Sequence, residues 1–197
     1  RHVVAALSPL TDVWGESHAA GFWGPELKFA GYDAIIFTGA SSDPVYLHIQ
    51  NDTVELLDAS EIWGTSVFET DDWIREKHSK RARVLSIGQA GENKVRFAAV
   101  MNDRDRASAR SGLGAVMGAK KLKAVSVRGT GKLTVADPKN YLKQIDVFHK
   151  RMMANPFTPG RIKYGTTSLV ELMQHIGRLP SYNMKQGVFD GFVADEL

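Results

Sequence analysis

The 197-residue chain contains no cysteine, so it cannot by itself hold a disulfide framework, a Cys-ligated zinc or an iron–sulfur cluster, and it offers no thiol nucleophile. Long apolar runs are missing as well. The longest, Tyr32 to Thr38 and Phe97 to Met101, are far too short to span a bilayer. The sequence shows no repeat, no low-complexity tract and no secretory leader. Arg1-His2-Val3-Val4-Ala5-Ala6-Leu7 reads instead as the middle of a strand. A start on Arg1 and a stop at Ala194-Asp195-Glu196-Leu197 without a closing motif make a fragment of a longer chain the expectation, and a cytoplasmic one. Common catalytic signatures are absent too. There is no Gly-x-Ser-x-Gly elbow and no His-Glu-x-x-His helix, and Gly118-Ala119-Lys120-Lys121 lacks the Ser or Thr that a Walker A loop needs. The six histidines are scattered singly along the chain, a distribution that suits surface or core roles better than a metal site.

What is present suits a globular chain of one domain or one and a half. Hydrophobic residues make up 43% and charged residues 24%, which rules out disorder. Apolar stretches bounded by turn residues predict strands at 2–7, 32–38, 45–49, 53–57, 83–87, 95–101 and 124–127, with 45–57 folding as a hairpin about Asn51-Asp52. Ser66-Val67-Phe68-Glu69 predicts a capping box and a helix from Val67 to Lys77. Asp137-Pro138 predicts another helix start, running to about Met153. Further helices are expected within 19–31, entered through glycines and ended by Gly31, at 107–121 and, after a loop at 156–160, from a second capping box at Ser168 to Ile176. Strands dominate up to Val127 and helices follow, which implies an α+β fold.

The most distinctive segment runs from Asn102 to Lys123. Arg104, Arg106 and Arg110 precede a glycine-rich helix start at Gly112-Leu113-Gly114. Arginine forks, free amides and the positive end of a helix dipole all favour an anion, phosphate above all. From Asp103 to Lys132 there are eight basic residues against two acidic ones, so most of the net charge of +3 is local. Gly112, Gly114 and Gly118 are spaced wrongly for a dinucleotide-binding turn. The alternative for these glycines is close helix packing beside a solvated basic face. Nucleic-acid binding is disfavoured because no aromatics interleave the basic run. The acidic pairs Asp71-Asp72 and Asp103/Asp105 read as solvated groups or caps.

Several ordered segments together carry a likeness: Phe22 to Ile35, Asp58 to Gly64, Ile87 to Asn93, Tyr164 to Thr167, Asn183 to Val188 and, above all, Arg106 to Lys123. They resemble the N-terminal domain of tungsten-containing aldehyde ferredoxin oxidoreductases, over almost the whole chain. The resemblance implies intertwined, duplicated β structure with flanking helices. On such a base sits a tungsten (or molybdenum) ion held by two pterins, their phosphates bridged by magnesium. By resemblance, Arg1, Ala20, Arg106, Ala107, Ala109 and Arg110 fall on cofactor-binding positions, and the backbone carbonyls of His18 and Ala107 on the magnesium site. The chain departs from the family pattern at His18-Ala19-Ala20-Gly21, where Asn-Ser-Gly-Gly is common, and at Ala109, where glycine is common.

The likeness further implies an oxidoreductase that converts aldehydes to carboxylic acids, with ferredoxin or an iron–sulfur subunit as electron acceptor. It also implies a homo-oligomer and a 4Fe–4S cluster ligated outside this chain. Residues 1–135 would be the pterin-binding domain and 136–197 a helical extension toward further domains. No catalytic residue is assigned within the chain, and neither nucleic acid nor membrane is expected as a partner. The alternatives are a related pterin enzyme acting on another low-potential substrate, such as an aromatic acyl thioester, or a non-catalytic module binding anions or nucleic acid.

Overall fold

Strand β1 (His2–Leu7) turns at Ser8, whose amide donates to the Val13 carbonyl (2.9 Å), and returns as β2 (Trp14–Ala19) in an antiparallel pair that sets His2 opposite Ala19. The second of these strands is not foreshadowed by apolar alternation. Its inward residues, Gly15, Ser17 and Ala19, are small, while Trp14, Glu16 and His18 point outward. Helix α1 (Trp23–Phe29) follows, burying Trp23 and Leu27, and the Trp23 Nε1 donates to the Val125 carbonyl at 2.9 Å. The run from 32 to 38, expected as a strand, finds no partner strand among the described residues. It crosses as extended chain, with Ile35 and Phe37 leaning on the core and Ile36 85% exposed. The structure, a computed structural model, describes residues 1–191.

Six strands build the main sheet. The hairpin β3 (Val45–Gln50) and β4 (Thr53–Asp58) forms about Asn51-Asp52 as expected. Helix α2 (Val67–Lys77) starts on the Ser66 capping box, the Glu69 amide donating to Ser66 Oγ (3.2 Å) and the Ser66 amide to Glu69 Oε2 (2.8 Å). After β5 (Arg83–Ser86) comes a one-turn helix, α3 (Gln89–Glu92), and only the end of the predicted 95–101 strand pairs, as β6 (Val100–Asn102). The segment expected to be helical from Ala107 begins instead as a strand, β7 (Arg106–Ser108). The turn at 103–105 folds it back onto β6. Ser111 (φ +71°) and Gly112 (φ +67°) then redirect the chain into α4 (Leu113–Ala119), before β8 (Leu122–Arg128). The strand order is β4-β3-β8-β5-β6-β7; β3 and β8 are parallel, and the other neighbours are antiparallel.

Both faces of this sheet are covered. Helices α1 and α4 bring Trp23, Leu27, Leu113 and Met117 onto one cluster with Leu47, Ile49, Leu85 and Val125; Ile62 and Ile74 pack against Tyr46, Val84 and Ala124 in a second. Each such side chain contributes about 1.5–3 kcal/mol by leaving water. Central β8 is accordingly buried along nearly its whole length, Lys123 included. The Lys123 ammonium pairs with Glu92 and donates to the Thr65 carbonyl (2.9 Å), while the Glu92 carboxylate accepts the Gly64 amide at 2.9 and 3.0 Å. Burial holds the Lys123 pKa below its ordinary value, and the bond it donates to Glu92 offsets this only in part. Helix α4 reaches this layer because a Cβ at Gly118 would overlap the Gly91 carbonyl. The glycine is there for close approach.

These elements form one unit, Arg1–Thr134; Val135–Leu197 forms a second. In the second, α5 (Pro138–Met153) is capped by Asp137, whose carboxylate accepts the Asn140 amide at 3.0 Å. Helix α6 (Thr158–Tyr164) occupies part of the expected 156–160 loop, with Pro159 in its first turn. A 3-10 turn (Gly165–Leu169) then leads into α7 (Val170–His175). The second capping box does not form: Ser168 Oγ donates to the Gly165 carbonyl (2.8 Å) inside the 3-10 turn. No helix among the described residues is long and apolar enough to cross a membrane.

Candidate cofactor site

Two stretches far apart in sequence, the β1–β2 pair and the segment around β7, meet here. The β1–β2 register, His2 opposite Ala19 and Val3 opposite His18, sets Arg1 beside Ala20 at one end of the pair. Arg106 stands opposite Asn102 in the β6–β7 hairpin, and its Cγ lies against Gly21. Ala107 pairs with Met101 and is exposed, Ala109 leads into a short 3-10 turn (Arg110–Gly112), and the Arg110 amide donates to Ser17 Oγ at 3.2 Å. All seven positions singled out in the sequence, Arg1, His18, Ala20, Arg106, Ala107, Ala109 and Arg110, therefore lie exposed on adjoining segments.

The charges sort sharply. Of the eight basic residues between Asp103 and Lys132, five are engaged elsewhere. Arg104, expected with the anion-binding arginines, turns away to Asp71 (3.1 Å) and Asp72. Lys120 and Lys121 donate to the Gly39 and Ser42 carbonyls, each at 2.6 Å; Lys123 is buried against Glu92; and Arg128 pairs with Glu26 at 2.6 Å. Arg106 keeps only a loose contact with Asp105, at 3.6 Å. Among the described residues, Arg1 and Arg110 have no ion-pair partner. The apparent basic stripe thus reduces to Arg106, Arg110 and Lys132, separate cations that suit a compact anion better than an extended polyanion.

The glycine-rich helix start does not present free amides as the sequence suggested. Leu113, Gly114 and Ala115 are buried, and the Gly114 amide donates to the Ala98 carbonyl at 2.9 Å. Packing, the alternative reading of these glycines, is what the fold uses them for. The anion-binding potential falls instead to the segment just before, 106–110.

Two buried polar atoms in this region have no protein partner: Asn102 Oδ1 and Ser108 Oγ. An unpaired buried acceptor or hydroxyl costs about 1–3 kcal/mol. Arginine guanidinium groups beside exposed backbone amides and carbonyls at 18–20 and 106–110 form a set that fits a phosphorylated cofactor with an oxygen-ligated hard cation, and the two orphaned atoms lie buried just behind it. Nearby, the His2 ring lies edge-on to Trp23, centroids 5.1 Å apart, with both nitrogens unpartnered. Burial lowers its pKa, so it adds no charge near neutrality.

Sequence reasoning missed Ser17, Asn102 and the fixed role of Asp103. Asn102 Nδ2 donates to the Ala20 carbonyl (3.1 Å), and Asp103 Oδ2 accepts the Phe22 amide (2.5 Å). The one signal available was an Asn-Asp pair before the arginines. Nor did the sequence show that two of its scattered histidines meet. His48 and His78 border a polar hollow of about 480 Å³ with Glu55 and Asp52. His48 Nδ1 is bonded to Ser126 Oγ (3.2 Å) and His78 Nε2 to the Tyr46 hydroxyl (2.8 Å). Among the described residues, no group of three or more His, Cys, Asp or Glu side chains is arranged to hold a metal ion.

With this geometry in hand, the chain can be set beside known proteins. A family profile described as "Aldehyde ferredoxin oxidoreductase, N-terminal domain" matches residues 1–129. The tungsten-containing aldehyde ferredoxin oxidoreductase of Pyrococcus abyssi is 45% identical over 192 residues, covering 96% of this chain and 32% of that protein. A second relative, the WOR-like subunit of an aliphatic sulfonate oxidoreductase from Pyrococcus furiosus, is 45% identical over 133 residues, 61% of this chain and 21% of that one. Among solved structures, the active-site complex BamBC of benzoyl coenzyme A reductase with 1,5-dienoyl-CoA superposes with a TM-score of 0.74 at 45% identity, over 79% of this chain and 24% of that one. The chain spans about a third of the length of the curated aldehyde ferredoxin oxidoreductases it matches.

Proposed function

This chain belongs to the aldehyde ferredoxin oxidoreductase family, and on that premise we propose that it holds the phosphate ends of a tungsten- or molybdenum-pterin cofactor in an enzyme that oxidises aldehydes to carboxylic acids. The carrying observation is that Arg1 and Arg110, without an ion-pair partner among the described residues, and Arg106, which keeps only a loose contact with Asp105, are gathered on adjoining segments. In this reading Arg106 and Arg110 give the phosphates fork-like donors, Arg1 closes the far side, and the backbones of Ala20 and Ala109 approach closely. The carbonyls of His18 and Ala107 serve a magnesium ion, a hard cation that takes oxygen ligands. When bound, the metal–pterin group supplies the two-electron chemistry; the chain's share is to bind, orient and neutralise charge.

Electrons would leave through a 4Fe–4S cluster ligated outside this chain, toward ferredoxin or an iron–sulfur subunit, in keeping with the absence of cysteine. Residues 1–135 would be the cofactor-holding domain and 136–197 its extension toward further domains.

Full-length protein from cells supplied with tungstate or molybdate tests the reading. Metal and released pterin fluorescence near one cofactor per chain are expected, and the Arg106→Ala, Arg110→Ala double variant should lose at least tenfold in pterin. Wild-type protein free of metal and pterin, or a double variant that keeps both in full, would overturn it.

A second reading is favoured by the 45% identity to a benzoyl coenzyme A reductase subunit, the same figure as to the aldehyde enzyme. In it the cofactor site is unchanged and the substrate is an aromatic acyl thioester. Parallel assays of the loaded enzyme with an aldehyde and with benzoyl-CoA separate the two.

A further inference from the structure

The turn that joins β6 to β7 is unusual for its side chains. It consists of Asp103, Arg104 and Asp105, with Asp103 (φ +48°) and Arg104 (φ +68°) both in the left-handed region although neither is glycine. Such a conformation costs of order 1–3 kcal/mol per residue and persists only where the surroundings hold it. What holds it is visible. Arg104 is anchored to Asp71 and Asp72 of α2, and the Asp103 side chain is only 11% exposed, against 77% for Asp105.

The Asp103 carboxylate is spent on three neighbours from three parts of the chain. Its Oδ2 accepts the Phe22 amide at 2.5 Å and Asn102 Nδ2 at 3.0 Å, while Oδ1 faces the Arg83 guanidinium of β5 at 3.5 Å. The same Asn102 Nδ2 donates to the Ala20 carbonyl, and the Arg83 guanidinium also lies 4.7 Å from the centroid of the Phe22 ring. Between these bonds sits Gly21 at φ +97°, where a Cβ would overlap the Asp103 carboxylate and meet Asn102 Nδ2 at 2.7 Å and Arg106 Cγ at 3.3 Å. Residues 20–22 are therefore clasped by Asn102 and Asp103, and Arg106 is held against the same glycine.

We infer that Asp103 is a positioning residue: by clasping Phe22 it sets the spacing between the 18–22 loop and the 106–110 segment on which phosphate binding depends. The inference rests on the cofactor reading above. Asp103 itself is not a ligand, since its oxygens are occupied by an amide, a carboxamide and a guanidinium. Its charge is matched by Arg83, so the clasp adds no net repulsion to an incoming anion.

The test compares Asp103→Ala and Asp103→Asn in the full-length protein. Hydrogen exchange of the peptide containing Phe22, measured on protein made without tungstate or molybdate, reads the clasp independently of any cofactor. Asp103→Ala should speed that exchange at least tenfold, and pterin content after growth with tungstate should fall at least fivefold. Asp103→Asn, which keeps an acceptor for the Phe22 amide, should restore most of both. Adding Gly21→Ala to Asp103→Ala should cost less than the sum of the two, because the methyl then enters the space the carboxylate leaves.

Unchanged exchange in Asp103→Ala overturns the clasp, and so does full pterin loading despite faster exchange. A loading loss that Asn does not relieve makes the carboxylate a direct ligand or a merely structural group, which also overturns the proposal. Failure of the cofactor reading appears elsewhere, as full loading in the Arg106, Arg110 double variant.

Discussion

The imidazole rings of His48 and His78 lie face to face, centroids 3.6 Å apart and planes 14° from parallel. Two imidazolium cations do not share that spacing. Burial, and then the neighbouring His78, lower the His48 pKa from 6.5 to about 4; burial, and then Lys77, lower that of His78. Since the unfolded chain binds these protons more readily than the folded one, stability is full above pH 6.5 and declines as pH falls toward 4. Glu55, across the hairpin from His48, partly offsets the effect at His78. Thermal unfolding from pH 7.5 to 4.5 should show a midpoint that drops steadily with acid. In a His78→Phe variant, which keeps an aromatic stack without the second charge, the slope should be shallower.

Arg104 and Arg110 separate structure from binding. Arg104 is committed to Asp71 and Asp72, whereas Arg110 has no ion-pair partner among the described residues. Arg104→Ala should lower the unfolding midpoint, and any loss of pterin should be smaller than that caused by Arg110→Ala. Arg110→Ala should leave the midpoint of the cofactor-free protein within a degree or two and reduce pterin content several-fold. The two effects are read by scanning calorimetry and pterin fluorescence on the same preparations.

The buried Lys123–Glu92 pair makes a third test, with an asymmetric outcome. Glu92→Ala strands a fully buried ammonium and the Gly64 amide, whose acceptors are the two Glu92 carboxylate oxygens, and it should cost about 3–5 kcal/mol in urea unfolding. Replacing both residues together, as Lys123→Met with Glu92→Leu, should cost clearly less than Glu92→Ala alone. A double variant as unstable as the single one would mean that the Gly64 and Thr65 contacts, not the ion pair, hold this layer.

Local chemistry was legible in the sequence, and long-range pairing much less so. The Ser66 capping box and the Asp137-Pro138 start announce themselves within four residues, and both helices begin where expected. Strand β2 was unreadable because its buried face is Gly15, Ser17 and Ala19, small side chains that carry no hydrophobic alternation. The run at 32–38 misled for the opposite reason: its apolar residues pack on the core without a neighbouring strand to complete a ladder. Strand β7 looked helical because Ala107-Ser108-Ala109-Arg110 has helix-compatible composition; the turn that makes it a strand uses positive φ without glycine. At the site, Arg106 and Arg110 were visible as a basic cluster. Their meeting with Ser17 and Gly21 joins positions more than eighty residues apart, which no local pattern encodes.

The central place of β8 has a consequence for how the unit comes into being. It lies between β3 and β5 and supplies the sheet's parallel pairing, yet it is the last of the eight strands to leave the ribosome. Until residue 128 has emerged, the β3–β4 hairpin and the β5–β6–β7 meander are separate pieces with no shared ladder. A parallel crossover of this kind carries a high loop-closure cost and closes slowly. Residues 17–22 accordingly wait for their partners at 102–110 until some eighty further residues have been made, and the sheet against which both are set is joined only when β8 arrives.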